Sequence, residues 1–492
     1  MIMHKKIAIV GGGSAGLAAA LILKTKFPSW TVDIVRSEKI GIIGVGEGST
    51  EHWTAFMEYV GIHYFDLVKE CDATFKSGIM FQNWSEKDYL QSIAGRYSQI
   101  KDHYPFVYGK LIADNVDPRY MLSAHAWDSK VNIWFISNQE SCPVLQFHFN
   151  THKLNDFLTK LAVSRGINIY DDEIVDVKIG DTGDIKSIVG NKQDYHYDFY
   201  VDSSGFNRLL INKLGAKWQS YSKHLKMKSA IMFASGMQDQ IPMWTAARAM
   251  DYGWMFSIPT YGRTGNGYIF DSDYITPDQA HKELEIHLGK PVDIVKKINF
   301  DPGALDRPWI KNCCAIGLSA SFVEPLEASS IGTTIQQSFL LSELIFDYTE
   351  SCSIKYNTIM SGILDNIKDF IFLHYLTDKK NTEFWTDAKN ATVPDTLKNK
   401  LEVWKTKLPT SHDFCDVSPY RLFSELHHVL VLYGLNYFDV EKIREEYEFN
   451  VDYHSKLRAD EAIRDEQTLE CQTIPHRTMI ELIRNITHEN KR

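Results

Sequence analysis

The chain has no long basic run, no Cys-x-x-Cys pair, no internal repeat or low-complexity tract, and no stretch of about 18 apolar residues. Each absence removes a class of function. With 53 Lys and Arg against 63 Asp and Glu, a net charge of −10 and no basic cluster, neither nucleic acid nor an anionic membrane surface is an expected partner. Without a long apolar run, no segment is expected to cross a membrane. The seven cysteines are scattered at 71, 142, 313, 314, 352, 415 and 471. An odd, dispersed set fits free thiols in a reducing compartment, expected to be the cytoplasm. Cys313-Cys314 lies in an apolar run and is expected as small apolar filler. No metal site is expected. His427-His428 invites one, but adjacent side chains on a helix point apart, so the pair is assigned to packing.

What is present is a chain of 492 residues, 44% hydrophobic and 24% charged, long enough for a large core and more than one substructure. Residues 5–10 read as a strand, 15–25 as a helix and 31–35 as the next parallel strand. The run Ile7–Leu23 is thereby expected as strand, loop and helix rather than as the core of a signal peptide. Residues 151–165 carry helical spacing. Strand-like runs follow at 167–179, 197–203, 228–234 and 253–258, and 313–318 reads as a fully buried strand. From about 335 the pattern turns helical, over 334–349, 353–375, 393–407, 418–434 and 439–485, with polar breaks at 377–392 and 408–417. This predicts an α/β body over residues 1–340 and a mainly helical cap over 341–492, with chain from both parts free to interleave.

Gly11-Gly12-Gly13-Ser14-Ala15-Gly16 stands between the first strand and the first helix and fits Gly-x-Gly-x-x-Gly. Gly11 permits the tight turn, Gly13 lets the backbone approach a pyrophosphate, and Gly16 lets the helix pack on the strand. The helix N-terminus favours the phosphate charge. These glycines, with Ser14 and Ala15, are the expected nucleotide contacts. An acidic residue about 20 positions on usually binds the ribose. Here the second strand ends Val35-Arg36-Ser37-Glu38; an Arg there suits the 2′-phosphate of NADP, whereas for FAD, which has no such phosphate, Ser37, Glu38 or Arg36 stacking on adenine must substitute. No second Gly-x-Gly-x-x-Gly occurs, so no NAD(P)H domain is evident.

Four segments together resemble the flavin-dependent halogenases of the tryptophan-halogenase family: this loop, Phe75-Lys76-Ser77-Gly78, Gly253-Trp254-Met255-Phe256-Ser257-Ile258-Pro259, and Glu324-Pro325-Leu326-Glu327. The family's flag is Trp-x-Trp-x-Ile-Pro, and Phe256 stands for its second Trp. The resemblance runs over residues 5–440. It implies an FAD-binding Rossmann-type body of the flavin-monooxygenase kind, with mixed sheets and a mainly helical C-terminal substrate cap. It further implies FAD used as FADH2, supplied by a separate flavin reductase, with O2 as co-substrate and chloride, bromide or iodide as halide. The product would be a small electron-rich aromatic, such as an indole or phenol, halogenated through hypohalous acid. A homo-oligomer is compatible with it. Two rivals are a flavin monooxygenase that hydroxylates its substrate and a flavin-binding protein that has lost turnover. Lys76 and the Trp254–Phe256 pair argue against the first, Lys76 with Glu327 against the second. A third rival, halogenation of a carrier-bound substrate, would leave a basic patch that the sequence does not display.

By the same resemblance, Lys76 matches the family's essential lysine, whose ammonium would hydrogen-bond hypohalous acid or whose amine would form a haloamine. Glu327 matches the carboxylate beside it, and Glu324 is read as structural. The family continues Ser-Thr-Gly after that Glu; here Ala328, Ser329 and Ser330 follow, and the N–H groups of Ser329 and Ser330 are the expected halide contacts. Gly46, Glu47 and Gly48 match the second flavin loop, within Gly44-Val45-Gly46-Glu47-Gly48-Ser49-Thr50. Asp202, Gly317, Leu318 and Ile331 complete the expected flavin set. Trp254, Phe256 and Pro259 form the barrier that keeps an organic substrate off the flavin. Phe106, in Tyr104-Pro105-Phe106, and Phe423, in Leu422-Phe423, are the expected substrate walls. His374-Tyr375-Leu376-Thr377 and Phe384-Trp385 also match. The tyrosines and glutamate that grip an amino-acid end have no clear equivalent, so a looser pocket for indoles or phenols is expected in place of one for free tryptophan.

Overall fold

The computed structural model describes residues 4–41, 47–92, 104–118, 121, 124–132, 146–379, 381–415, 421–450, 452–470 and 472–486. A six-stranded sheet runs in the order Trp309–Ile310, Cys313–Ala315, Phe199–Asp202, Lys6–Val10, Thr31–Arg36, Asn168–Asp171. Its inner pairings are parallel, as a strand–helix–strand repeat requires. Cys313 and Cys314 are buried in it as free thiols. The helix Ser14–Lys26 leaves this sheet directly after Gly13, and Gly16 through Leu23 are all buried.

A second, seven-stranded sheet runs Ile294–Asn299, Ser229–Gly236, Arg263–Phe270, Gly253–Thr260, Trp244–Ala249, Gly78–Gln82, Tyr89–Ser92. Its central strand carries Pro259, which a ladder tolerates poorly. Pairing with Trp244–Ala249 reaches only Ser257, so Pro259 lies beyond the ladder that its missing N–H would have broken. A three-stranded sheet joins Glu47–Gly48, Gln146–Phe149 and Thr74–Lys76. The chain steps from this small sheet into the large one at Ser77-Gly78. A Cβ on Gly78 would stand 2.2 Å from the Gln91 carbonyl, so only glycine lets these strands meet.

Several expected boundaries shift. Residues 167–179 are two strands, Asn168–Asp171 in the six-stranded sheet and Ile174–Ile179 in an antiparallel meander. Asp172 stands at the break; its carboxylate accepts from the Lys192 N–H and the Tyr195 hydroxyl. The expected break at 377–392 contains a helix, Glu383–Lys389, anchored by buried Phe384 and Trp385. Residues 439–485 are two helices, Val440–Phe449 and Tyr453–Glu470, then a strand, Thr473–Pro475, and a third helix, His476–Asn485. That strand pairs with Lys130–Asn132, far away in sequence. Position 340 falls inside the helix Ser329–Leu344. No helix among the described residues is long and apolar enough to cross a membrane.

Candidate functional site

The nucleotide loop has the geometry its glycines demand. Gly11 has φ +120°, and a Cβ there would overlap the Ser203 carbonyl at 2.2 Å. A Cβ on Gly16 would overlap the Gly11 carbonyl at 2.1 Å, while Gly13 faces open space. The helix begins with no side-chain cap and no acid in its first turn, which leaves its N–H groups directed at an anion. This cradle fits a dinucleotide pyrophosphate, with Ser14 and Ala15 in the first turn. Arg36 lies across Gly12, donates to the Thr159 hydroxyl at 3.3 Å and reaches Glu38 at 3.6 Å. Ser37 and exposed Glu38 follow it past the end of the strand.

Asp202 departs from the expected direct contact. Its Oδ1 accepts from Ser204 N, Ser204 Oγ and Ser319 Oγ, and its Oδ2 from Leu210 N and Ile211 N. With every lone-pair direction engaged, the carboxylate ties together the loops around the cradle rather than reaching a ligand. Gly317, at φ +58°, packs against Ala15, its N–H donates to Gln337, and Leu318 follows half-buried. Gly46 lies outside the described residues. Glu47 is held by the small sheet, its Oε2 has no hydrogen-bond partner among the described residues, and burial pushes its carboxyl up to about 7.

Lys76 stands at the end of the small sheet, almost fully buried, and its Nζ donates to the Ser49 carbonyl at 2.7 Å. Burial lowers its ammonium to about 8, and the charges of Glu327 and Glu51 resist that fall. A Cβ on Gly48 would touch Lys76 Cδ, Ala328 Cβ and the Thr245 hydroxyl together, so four chain segments converge there. Glu327 closes a 3₁₀ turn, Pro325–Glu327, and Ala328 reverses the chain at φ +50°. That left-handed conformation costs an L-residue about 1–2 kcal/mol. The helix Ser329–Leu344 begins at once, with no side-chain cap. Ser329 is buried with its hydroxyl unpartnered among the described residues, Ser330 is exposed, and half-buried Ile331 follows. An unpartnered buried hydroxyl at an uncapped helix start fits a small anion.

Glu327 Oε1 lies 2.8 Å from His374 Nε2, and both side chains are buried. Glu324 is separate: Tyr375 donates to it at 2.6 Å, and burial raises its carboxyl to about 8, which keeps it neutral. The aromatic row is built by register. Phe256 pairs with Ala247, Ala247 with Phe81, and Phe81 with Tyr89, so one sheet face carries all four. Trp254, two residues before Phe256, shares its side of the strand, with ring centroids 6.3 Å apart. Phe81 contacts the His374 ring at 4.9 Å, which sets the row beside Glu327. The Pro259 carbonyl accepts from Thr74 Oγ1 at 2.6 Å and ties the barrier strand to the lysine strand.

Phe106 lies in the helix Tyr104–Ala113, half-buried. Phe423 departs from the expected open wall: its ring stacks on Phe370 at 4.2 Å and its backbone is pinned on both sides by Asn366. It therefore packs on Phe370, which in turn meets the His374 ring edge-on. His427 and His428 pack as expected. Ser424 N–H donates to His427 Nδ1, and the Ser424 carbonyl accepts from His428 Nδ1. Sequence reasoning gave no role to His374, Ser49 or His476. The match of His374 to a family segment was a signal for the first; the other two act on or through backbone groups, which no side-chain pattern reveals.

A family model described as tryptophan halogenase matches residues 6–443. The tryptophan 6-halogenase SttH of Streptomyces toxytricini is 30% identical over 459 residues, covering 84% of this chain and 86% of that protein. The tryptophan 7-halogenase RebH of Lentzea aerocolonigenes is 28% identical, covering 83% and 84%. Among solved structures, Tar14, a tryptophan C-6 flavin-dependent halogenase from taromycin biosynthesis, superposes with a TM-score of 0.86 at 26% identity, covering 98% of this chain and 100% of that one.

Proposed function

The chain belongs to the tryptophan halogenase family, and from that membership we propose that it is a two-component enzyme that halogenates a small electron-rich aromatic, an indole or phenol, with Lys76 and Glu327 directing the halogen. The observation that carries this reading is the buried Lys76 in the electrostatic reach of Glu327, which the aromatic row adjoins through Phe81 and His374.

Reduced FAD, when bound, supplies with O2 the oxidising equivalent that turns halide into hypohalous acid. Gly11, Gly13, Ser14, Ala15 and Gly16 would hold its pyrophosphate. Gly48, Gly317, Leu318 and Ile331 would line its path, and Asp202 would act through the loops it ties. Ser329 and Ser330 would hold the halide by their N–H groups. Trp254 and Phe256 would keep the organic substrate away from the flavin. Lys76, cationic at neutral pH, would donate to the oxygen of hypohalous acid and leave the halogen electrophilic. Glu327 would stabilise the ring cation and remove its proton. Phe106 would border the aromatic, with Phe423 supporting from behind.

A mass-spectrometric product assay tests this. Purified chain with FAD, a flavin reductase, NADH, O2 and each halide in turn should add a halogen mass to indole or phenol. Lys76→Ala should abolish that product and leave flavin oxidation intact. A halogen shift that persists in Lys76→Ala would remove the lysine from the reaction.

A further inference from the structure

The family match ends at residue 443, yet a side chain beyond it reaches the mount of Lys76. His476 opens the helix His476–Asn485 and is almost wholly buried. Its Nε2 accepts from the Phe75 N–H at 3.0 Å, and its ring stacks on that of Phe75. Its Nδ1 lies 3.0 Å from the Ile241 carbonyl. A backbone N–H only donates and a carbonyl only accepts, so the ring is neutral, with its one hydrogen on Nδ1.

The Phe75 N–H needs this partner. Phe75 is paired with Phe147, but both backbone groups of Phe147 are engaged by Ser49, its carbonyl by Ser49 N and its N–H by Ser49 Oγ. Left without His476, that N–H would be buried and unsatisfied. The far side of the clamp closes on the same lysine. Two residues after Ile241, the Met243 carbonyl accepts from both Ser77 N and Ser77 Oγ, at 2.6 and 2.9 Å. The residue before Lys76 and the residue after it are thus fixed to one short segment, 241–243, and His476 is the link on the first side.

We propose that His476 is a positioning residue for Lys76: its ring holds the lysine strand in register with the segment that holds Ser77. The inference rests on the reading of Lys76 as the halogen-directing group. A structural role alone would be served by any packed ring, whereas positioning depends on the acceptor at Nε2.

Two amides separate these roles in the full chain. In His476→Gln the Oε1 stands near the place of Nε2 and can accept from Phe75. In His476→Asn the Nδ2 stands near the place of Nδ1 and can donate only to Ile241. The first readout needs no flavin: competitive acetylation of Lys76 by acetic anhydride, followed by mass spectrometry. Acetylation should rise several-fold in His476→Asn and return toward the wild-type rate in His476→Gln. The second is the ratio of bromoindole formed to flavin oxidised, with monochlorodimedone scavenging escaped hypobromous acid. That ratio should fall on the order of tenfold in His476→Asn, the scale of a misplaced reacting group, and recover in His476→Gln. Equal Lys76 acetylation in wild type, Gln and Asn variants, each with a cooperative thermal transition, overturns the proposal. So does a bromoindole ratio in His476→Asn equal to that of the wild type. A wild-type chain that forms no bromoindole sinks the halogenase reading instead, and the acetylation series still decides whether His476 positions the lysine.

Discussion

His374 Nε2 meets Glu327 Oε1 across 2.8 Å, with both side chains buried. Nδ1 of His374 lies 2.9 Å from the Phe370 carbonyl, which only accepts, so Nδ1 carries a hydrogen. Nε2 is thereby turned toward Glu327 Oε1. The ring's place between Phe81 and Phe370 keeps it there. His374 engages Oε1, and in the proposed reaction Oε2 is the oxygen that would accept the ring proton.

Glu327→Gln keeps the shape and removes that acceptor. The expected loss in halogenation rate is about 10²-fold or more, the scale for an acid–base or electrostatic group. Flavin oxidation in the same samples should be unchanged. A loss below about threefold in steady-state product formation would remove Glu327 from the chemistry.

Burial brings the Lys76 ammonium down to about 8. If its ammonium polarises hypohalous acid, product formation must fall as pH rises through 8, because the donor proton is lost. A pH profile of product per flavin oxidised, from pH 6 to 9, reads this directly. A rise above pH 8 would assign the haloamine route.

Gly267 lies under the Phe256 ring, and a Cβ there would stand 2.4 Å from Cε1. Gly267→Ala therefore pushes the barrier ring aside, at an overpacking cost of about 1–3 kcal/mol. Product per flavin oxidised should drop, and an oxygen mass shift on the substrate should appear. Gly236→Ala, on the same sheet with open space at its Cβ, is the control and should behave as wild type. Identical coupling in both variants would argue that Phe256 is not a barrier.

His428 is held neutral, down to about 3, by burial among Phe370, Phe414 and Trp404. Its folded pKa lies below the unfolded value of about 6.5, so below that pH the unfolded chain binds a proton that the folded chain refuses. Stability is retained above pH about 6.5 and lost as pH falls toward 3. Relative to wild type, His428→Phe should gain about 1.4 kcal/mol per pH unit over that range. Denaturant titrations at pH 7, 6 and 5 measure the difference; a constant offset would show that His428 is already charged in the folded state.

Much of the candidate site was legible because its residue types stand at fixed spacing in the sequence. The glycine loop lies between the first strand and the first helix as expected, and Lys76 and Glu327, named from their motifs, come within electrostatic reach of each other. What escaped was decided by long-range pairing. Asp172 splits one apolar run between two sheets, and Thr473–Pro475 is a strand only because Lys130–Asn132 lies opposite. Asp202 looked like a ligand contact because its five donors, three of them backbone N–H groups, carry no sequence signal. Phe423 looked like a pocket wall because periodicity cannot say that Phe370 covers it.

The contact between Phe75 and His476 joins residues 401 positions apart. At synthesis rates of about 5–20 residues per second, the early strand waits tens of seconds on the ribosome before its partner exists. The glycine loop and the first sheet strands can form well before then. A nascent chain can therefore gain the ability to hold a nucleotide before its lysine strand is locked, and on the proposed role of His476 the helix His476–Asn485 would set the moment at which that strand is fixed.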